Sequence, residues 1–135
     1  MKKDYEILEH TADLKIRVFG TTKQQLFLNA LKAMTFIQNP DLSEESVVRK
    51  VKIKSSDVSF LLVDFLSEVL YLTQTKKEAY LGVKFREFSD TFLKAELDGR
   101  KVKRFKEDIK GVTYHELEIK QQKDGTWETT ILFDI

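Results

Sequence analysis

Val58 to Leu72 is the stretch that most limits how this chain can fold. Phe60, Leu61, Leu62, Val63, Phe65, Leu66, Val69, Leu70 and Leu72 occupy most of the circumference of one helix, and a helix apolar almost all round must be buried. The stretch is short for a bilayer and is interrupted by Asp64 and Glu68, so a place in a protein core is expected instead. Whatever else folds must therefore cover this helix. Asp64, Ser67, Glu68 and Tyr71 fall at i, i+3, i+4 and i+7 and form its single polar stripe. Two carboxylates one turn apart could hold a metal or act as acid and base, although such a stripe is more often the solvated side of the helix.

The covering elements can be read from periodicity. Tyr5 and Ile7, and then Leu14, Ile16 and Val18, alternate with charged residues as strands with one buried face do. Thr22 followed by Gln25 fits a capping box, and Phe27, Ala30, Leu31 and Met34 recur at helical spacing until the only proline, Pro40. Lys23, Gln24, Asn29 and Lys32 fall on the polar face of that helix. Asp41 to Ser46 reads as a polar connection, and Val51 and Ile53 alternate with Lys50, Lys52 and Lys54, a lysine row that discourages edge pairing. Ser55-Ser56-Asp57 supplies N-caps for the apolar helix.

Beyond it, Val83 and Phe85, then Leu93, Ala95 and Leu97, read as strands with turns at Ser89-Asp90 and Asp98-Gly99. Arg100 to Lys106 is the densest basic run and reads as a solvated loop that could contact phosphates or an acidic partner. Leu117 and Ile119 alternate with Glu116, Glu118 and Lys120 as the first strand of a last pair, Asp124-Gly125 is its hairpin signal, and Trp127, Thr129, Ile131 and Phe133 share a face on the return strand. The order β-α-β-α followed by several strands predicts an α+β domain of two layers, with two helices packed on a largely antiparallel mixed sheet. Its 135 residues predict a single domain, 1–135.

Composition removes several functions. There is no cysteine and there are only two histidines, His10 and His115, which argues against thiolate chemistry and a multi-histidine zinc site. A net charge of +1 gives no global basic field for nucleic acid. No glycine-rich phosphate loop or serine-histidine-aspartate series is evident. Met1-Lys2-Lys3-Asp4 does not read as a signal peptide, so a cytoplasmic protein is expected.

Two stretches remain that are better suited to a site than to a core. Glu9-His10-Thr11-Ala12-Asp13 places two carboxylates, a histidine and a threonine at a strand entrance; taken alone it is better explained as a turn. At the other end, Asp134 precedes Ile135, which concentrates anionic oxygens of the kind that bind hard cations, although taken alone these residues are better explained as an ordinary polar terminus.

Four stretches together resemble the archease family: His10 to Asp13, Leu61 to Tyr71 with Asp64 and Glu68, Lys110 with Val112-Thr113-Tyr114-His115, and Phe133-Asp134-Ile135. The resemblance runs from Tyr5 to Ile135. It departs from the family pattern at Phe65, where tryptophan is expected, at Gly111, where alanine is usual, and in Arg100 to Asp108, which lacks a proline and a histidine. It implies a non-catalytic activator of a GTP-dependent, RtcB-type RNA ligase. Such an activator promotes guanylylation and multiple turnover of the ligase in tRNA splicing and RNA repair, and meets RNA and GTP only through it. It also implies a divalent cation, calcium before magnesium or manganese, held by Asp13, Asp134 and Ile135. Lys110 would offset the gathered charge, and His10, Tyr114 and His115 would support the site or face the partner. That arrangement requires the first and last strands to lie close together. Two other readings stay open: a metal-dependent phosphoesterase or nucleotide hydrolase using Asp13, Asp64, Glu68 and Asp134, and a chaperone-like adaptor for RNA-modifying enzymes acting through Arg100 to Lys106.

Overall fold

The computed structural model describes residues 3–10, 13–113 and 117–135, with the side chains of all but Glu9 and His10 among them. The first two alternating stretches form β1 (Tyr5–His10) and β2 (Asp13–Gly20), followed by α1 (Lys23–Gln38), β3 (Pro40–Lys54), α2 (Val58–Lys76), β4 (Glu78–Phe88), β5 (Phe92–Phe105), β6 (Gly111–Thr113), β7 (Lys120–Gln121) and β8 (Trp127–Asp134). All described strand pairings are antiparallel, and the strands divide between two sheets. One runs β1-β2-β8-β6, with β7 also on β8; the other runs β3-β5-β4. The architecture is α+β with two helices on antiparallel sheets, as expected, except that two sheets stand where one mixed sheet was foreseen.

Both helices start where the cap residues place them. The Thr22 hydroxyl accepts from the Gln25 amide at 3.0 Å, and the Asp57 carboxylate accepts from the Phe60 amide at 2.9 Å, each satisfying an amide that the first turn leaves over. The reciprocal half of the capping box is not made, because the Gln25 side chain donates to Asn29 Oδ1 at 3.0 Å instead. Asn29 itself is buried and donates to the Phe19 carbonyl at 2.6 Å. It ties α1 to the end of β2 and does not belong to a polar face.

Leu61, Leu62, Val63, Phe65, Leu66, Val69 and Leu70 of α2 are all buried. The helix has the length and apolarity of a membrane span, but these side chains meet the rest of the protein. Phe65 packs on Phe27 of α1 and Phe85 of β4 with ring centroids 5.7 and 6.0 Å apart, and Phe27 meets Phe88 edge-on at 5.0 Å. Leu14, Ile16 and Val18 from β2 and Ile131 and Phe133 from β8 close the other side of the core.

Two expected loops are strand. Pro40 to Ser46 and Arg100 to Phe105 pair with each other, through Pro40↔Phe105, Asp41↔Arg104, Leu42↔Val102 and Ser46↔Arg100, with irregular register between them. Asp98-Gly99 is not a turn but the middle of β5, where Gly99 faces Val47 and Tyr80. A Cβ at Gly99 would lie 2.2 Å from the Ala79 carbonyl oxygen, so the glycine serves close strand approach. Asp124-Gly125 does make its hairpin, with Gly125 at φ 89°. The strand expected through Leu117 and Ile119 is not formed there: residues 117–119 are not strand, and only Lys120–Gln121 of it pairs with β8.

Candidate functional site

Along β2, Leu14, Ile16 and Val18 are buried and the intervening residues are not; along β8, Thr129, Ile131 and Phe133 are buried in the same way. The burial of these alternating residues fixes the register of the two strands. They pair in full from Gly20↔Trp127 to Leu14↔Phe133 and end on Asp13↔Asp134. Residues directly opposite in an antiparallel pair share a face, with Cβ atoms about 4.5–5.5 Å apart. The two exposed aspartates therefore stand side by side on the outer face, 121 residues apart in sequence.

On the other flank of β8, Gly111 of β6 faces Asp134, and the Lys110 amide donates to the Asp134 carbonyl at 2.7 Å. That bond holds the main chain of the last strand from the Lys110 side. Ile135, one residue on, lines an apolar groove of about 370 Å³ with Ile7, Leu14, Phe36 and Ile37. Ile7 and Phe36 are 49% and 62% exposed.

Like charges directly opposite on a sheet repel, and the donors here are all oxygen, which suits a hard divalent cation. Among the described residues, no three histidine, cysteine, aspartate or glutamate side chains converge on one point. A cation on the aspartate pair would therefore require a further donor, and Ile135 is the next residue along the chain from Asp134. The main chain of His10 lies opposite Leu14 at the end of β1; its side chain, like Tyr114 and His115, lies outside the described residues.

Asp64 and Glu68 are placed elsewhere. Asp64 accepts from Ser55 Oγ at 2.5 Å, and both acids line a hollow with Lys52, Lys54 and Ser67 that includes neither Asp13 nor Asp134. The four acids of the hydrolase reading are not gathered into one cluster.

One charged constellation has no counterpart in the sequence reading. Glu78, fully buried, accepts from Arg49 through both oxygens, at 2.8 and 2.6 Å, from the Tyr80 hydroxyl at 2.7 Å, and pairs with Lys101 at 3.0 Å. The Arg49 hydrogen bonds hold its carboxyl down at about 2 despite burial, and burial with the Glu78 bond pushes the Tyr80 phenol up. The only local hint was an acidic residue next to Ala79 and Tyr80, just past a helix end. Both Glu78 oxygens and the Tyr80 hydroxyl, the buried polar atoms of this group, are matched within it, which makes it a structural brace.

The Archease protein family (MTH1598/TM1083) model matches residues 5–135. The chain is 36% identical to protein archease of Methanosarcina barkeri over 98% of its own length and 97% of the relative's, and 32% identical to that of Pyrococcus abyssi over 98% and 99%. Among solved structures it is similar to protein 1598 of Methanobacterium thermoautotrophicum, with TM-score 0.71, 26% identity and coverage of 98% and 99%. It shares its fold with an archease of Thermotoga maritima that is described as a possible chaperone, with TM-score 0.69, 20% identity and coverage of 100% and 98%. With nearly the whole chain matched by the family model and by relatives of like length, the chain belongs to the archease family.

Proposed function

We propose that this protein is an accessory activator of a GTP-dependent, RtcB-type RNA ligase and acts through a divalent cation held by Asp13, Asp134 and an oxygen of Ile135. The observation that carries this reading is the Asp13↔Asp134 register, which gathers two carboxylates at one sheet end with no covalent chemistry of their own to perform. When bound, the cation would supply positive charge to position phosphate oxygens. The chain's own part is to hold the carboxylates at fixed spacing on two paired strands, with the Lys110 amide fixing the last strand's main chain. Exposed Ile7 and Phe36, beside Ile135 in the groove, offer a partner protein an apolar foothold at the same end of the sheet, on the face opposite the acidic pair. The role is positional, and no residue here is assigned as a nucleophile.

The test is guanylylation of the ligase from the same source, with radiolabelled GTP, in the presence of wild-type protein, Asp13→Asn or Asp134→Asn. Both variants should lose stimulation while keeping their melting temperature in metal-free buffer. Calorimetry should show calcium affinity reduced at least as much as the roughly 10–100-fold seen when a metal ligand loses its supporting partner. Full stimulation by either variant overturns the proposal. GTP or cyclic-phosphate turnover by the purified protein alone would favour the hydrolase reading.

A further inference from the structure

The outer face of the three-stranded sheet is basic in a protein of nearly neutral charge. Alternate residues of β3 bring Lys50, Lys52 and Lys54 to that face, β5 adds Lys94, and β4 adds Lys84 and Arg86. These six cations share the face with three carboxylates, Glu87, Glu96 and Asp98, although the whole chain carries only +1. Two of the acids are engaged: Glu96 is bonded to Arg86 at 3.1 Å and Glu87 is paired with Lys94 at 3.5 Å. Lys52 lies directly opposite Lys94, a like-charge juxtaposition that weakens a sheet unless an anion relieves it. Among the described residues, neither Lys52 nor Lys54 takes part in an ion pair, although Asp64 and Glu68 line the hollow beside them. Lys50, Lys52, Arg86 and Lys94 border a groove of about 390 Å³.

Two features decide what kind of polyanion fits. Lysines on alternate residues of one strand repeat every ~6.7 Å, a regular row of single charges on the scale of successive phosphates in an extended nucleic-acid strand. At the end of the row, Phe92 lies opposite Lys54. It is half-buried and is not among the hydrophobic residues packed on the core. A cationic track ending in a partly exposed aromatic ring is the chemistry of single-stranded nucleic-acid binding: charge follows the backbone and the ring stacks on a base. An acidic polypeptide would use the lysines and have no need of the ring.

We infer that this face binds single-stranded RNA, with Lys50, Lys52 and Lys54 on successive phosphates, Lys94 beside Lys52 adding charge to the same track, and Phe92 stacked on a base. The inference goes beyond the activator reading and stands apart from it, because its test contains no ligase and does not involve Asp13 or Asp134.

Fluorescence anisotropy of a labelled 12-nucleotide RNA of mixed sequence, titrated with the full chain, provides the test. With three to four phosphates contacted, affinity should fall about 20- to 50-fold between 50 and 200 mM salt. Lys52→Glu with Lys94→Glu should weaken binding by about tenfold or more at low salt, and Phe92→Ala, which changes no charge, by about fivefold or more. The same charge change in the hairpin of the other sheet, Lys120→Glu with Lys123→Glu, should leave binding within twofold. Absence of binding, or equal losses in the hairpin control, overturns the inference. So does displacement of the RNA by polyglutamate of equal charge with Phe92→Ala behaving as wild type, which would assign the face to an acidic polypeptide.

Discussion

Among the described residues, Glu78 is the one acidic or basic side chain that is fully buried, and it is satisfied by Arg49, Tyr80 and Lys101 at once. Removing one member of a buried charged group leaves the others desolvated without a partner. Arg49 and Lys101 are about one-third exposed and can turn partly to water, so Glu78→Gln should destabilise the fold by about 3 kcal/mol, the low end for such changes. The pH dependence has a definite sign. Arg49 holds the folded-state carboxyl at about 2, below its ordinary 4.5, so the folded state binds this proton less readily than the unfolded one. The stability linked to Glu78 is therefore fully present above pH 4.5 and is lost as pH falls towards 2. Urea unfolding of wild type and Glu78→Gln at pH 7 and pH 3 should show the gap between them narrowing in acid; a constant gap would mean that Glu78 contributes through packing alone.

At the scale of elements, β5 shows why part of the fold was not legible in the sequence. Asp98-Gly99 has the composition of a turn and Arg100 to Lys106 that of a loop, yet β5 runs through to Phe105 because Pro40 to Ser46 pairs with it. Neither segment alternates cleanly, and each is strand only because the other lies beside it, a non-local cause that no window of sequence carries. Gly99→Ala should cost about 1–3 kcal/mol through overpacking against Ala79 and Tyr80. Gly82→Ala, where a Cβ meets nothing within 4 Å, should stay within about 0.5 kcal/mol; equal effects in chemical denaturation would remove close approach as the reason for Gly99. Segments with strong local causes were legible in full. The helix starts at Thr22 and Asp57, the hairpin at Gly125 and the buried faces of β2 and β8 each follow from residues within a few positions. Phe65, a departure from the family pattern, sits fully buried between Phe27 and Phe85, so that departure belongs to packing.

For the molecule as a whole, the consequential fact is that β2 and β8 are neighbours, which joins Asp13 to Asp134. Composition marked both aspartates as acids at strand ends, but nothing local said that those ends meet; only the family resemblance required it. The same pairing would make binding of the proposed cation a matter of global stability, because an ion shared by β2 and β8 would be bound by the folded chain and not by the unfolded one. Linkage then gives about 2.7 kcal/mol of stabilisation at a free cation concentration 100 times Kd. For a domain of this size, 1 kcal/mol moves Tm by about 3–4 °C, so calcium at that level should raise Tm by about 10 °C. Chelator should reverse the rise, and Asp134→Asn should abolish it. Repeating the scan with magnesium and manganese identifies the preferred ion as the one giving the largest rise at equal concentration. Since mutual repulsion of the aspartates is what the ion would relieve, Asp134→Asn should also be at least as stable as wild type in chelator. A variant clearly less stable than wild type under those conditions would show that the pair is held by the fold's own hydrogen bonds, and the case for a cation at this sheet end would fall with it.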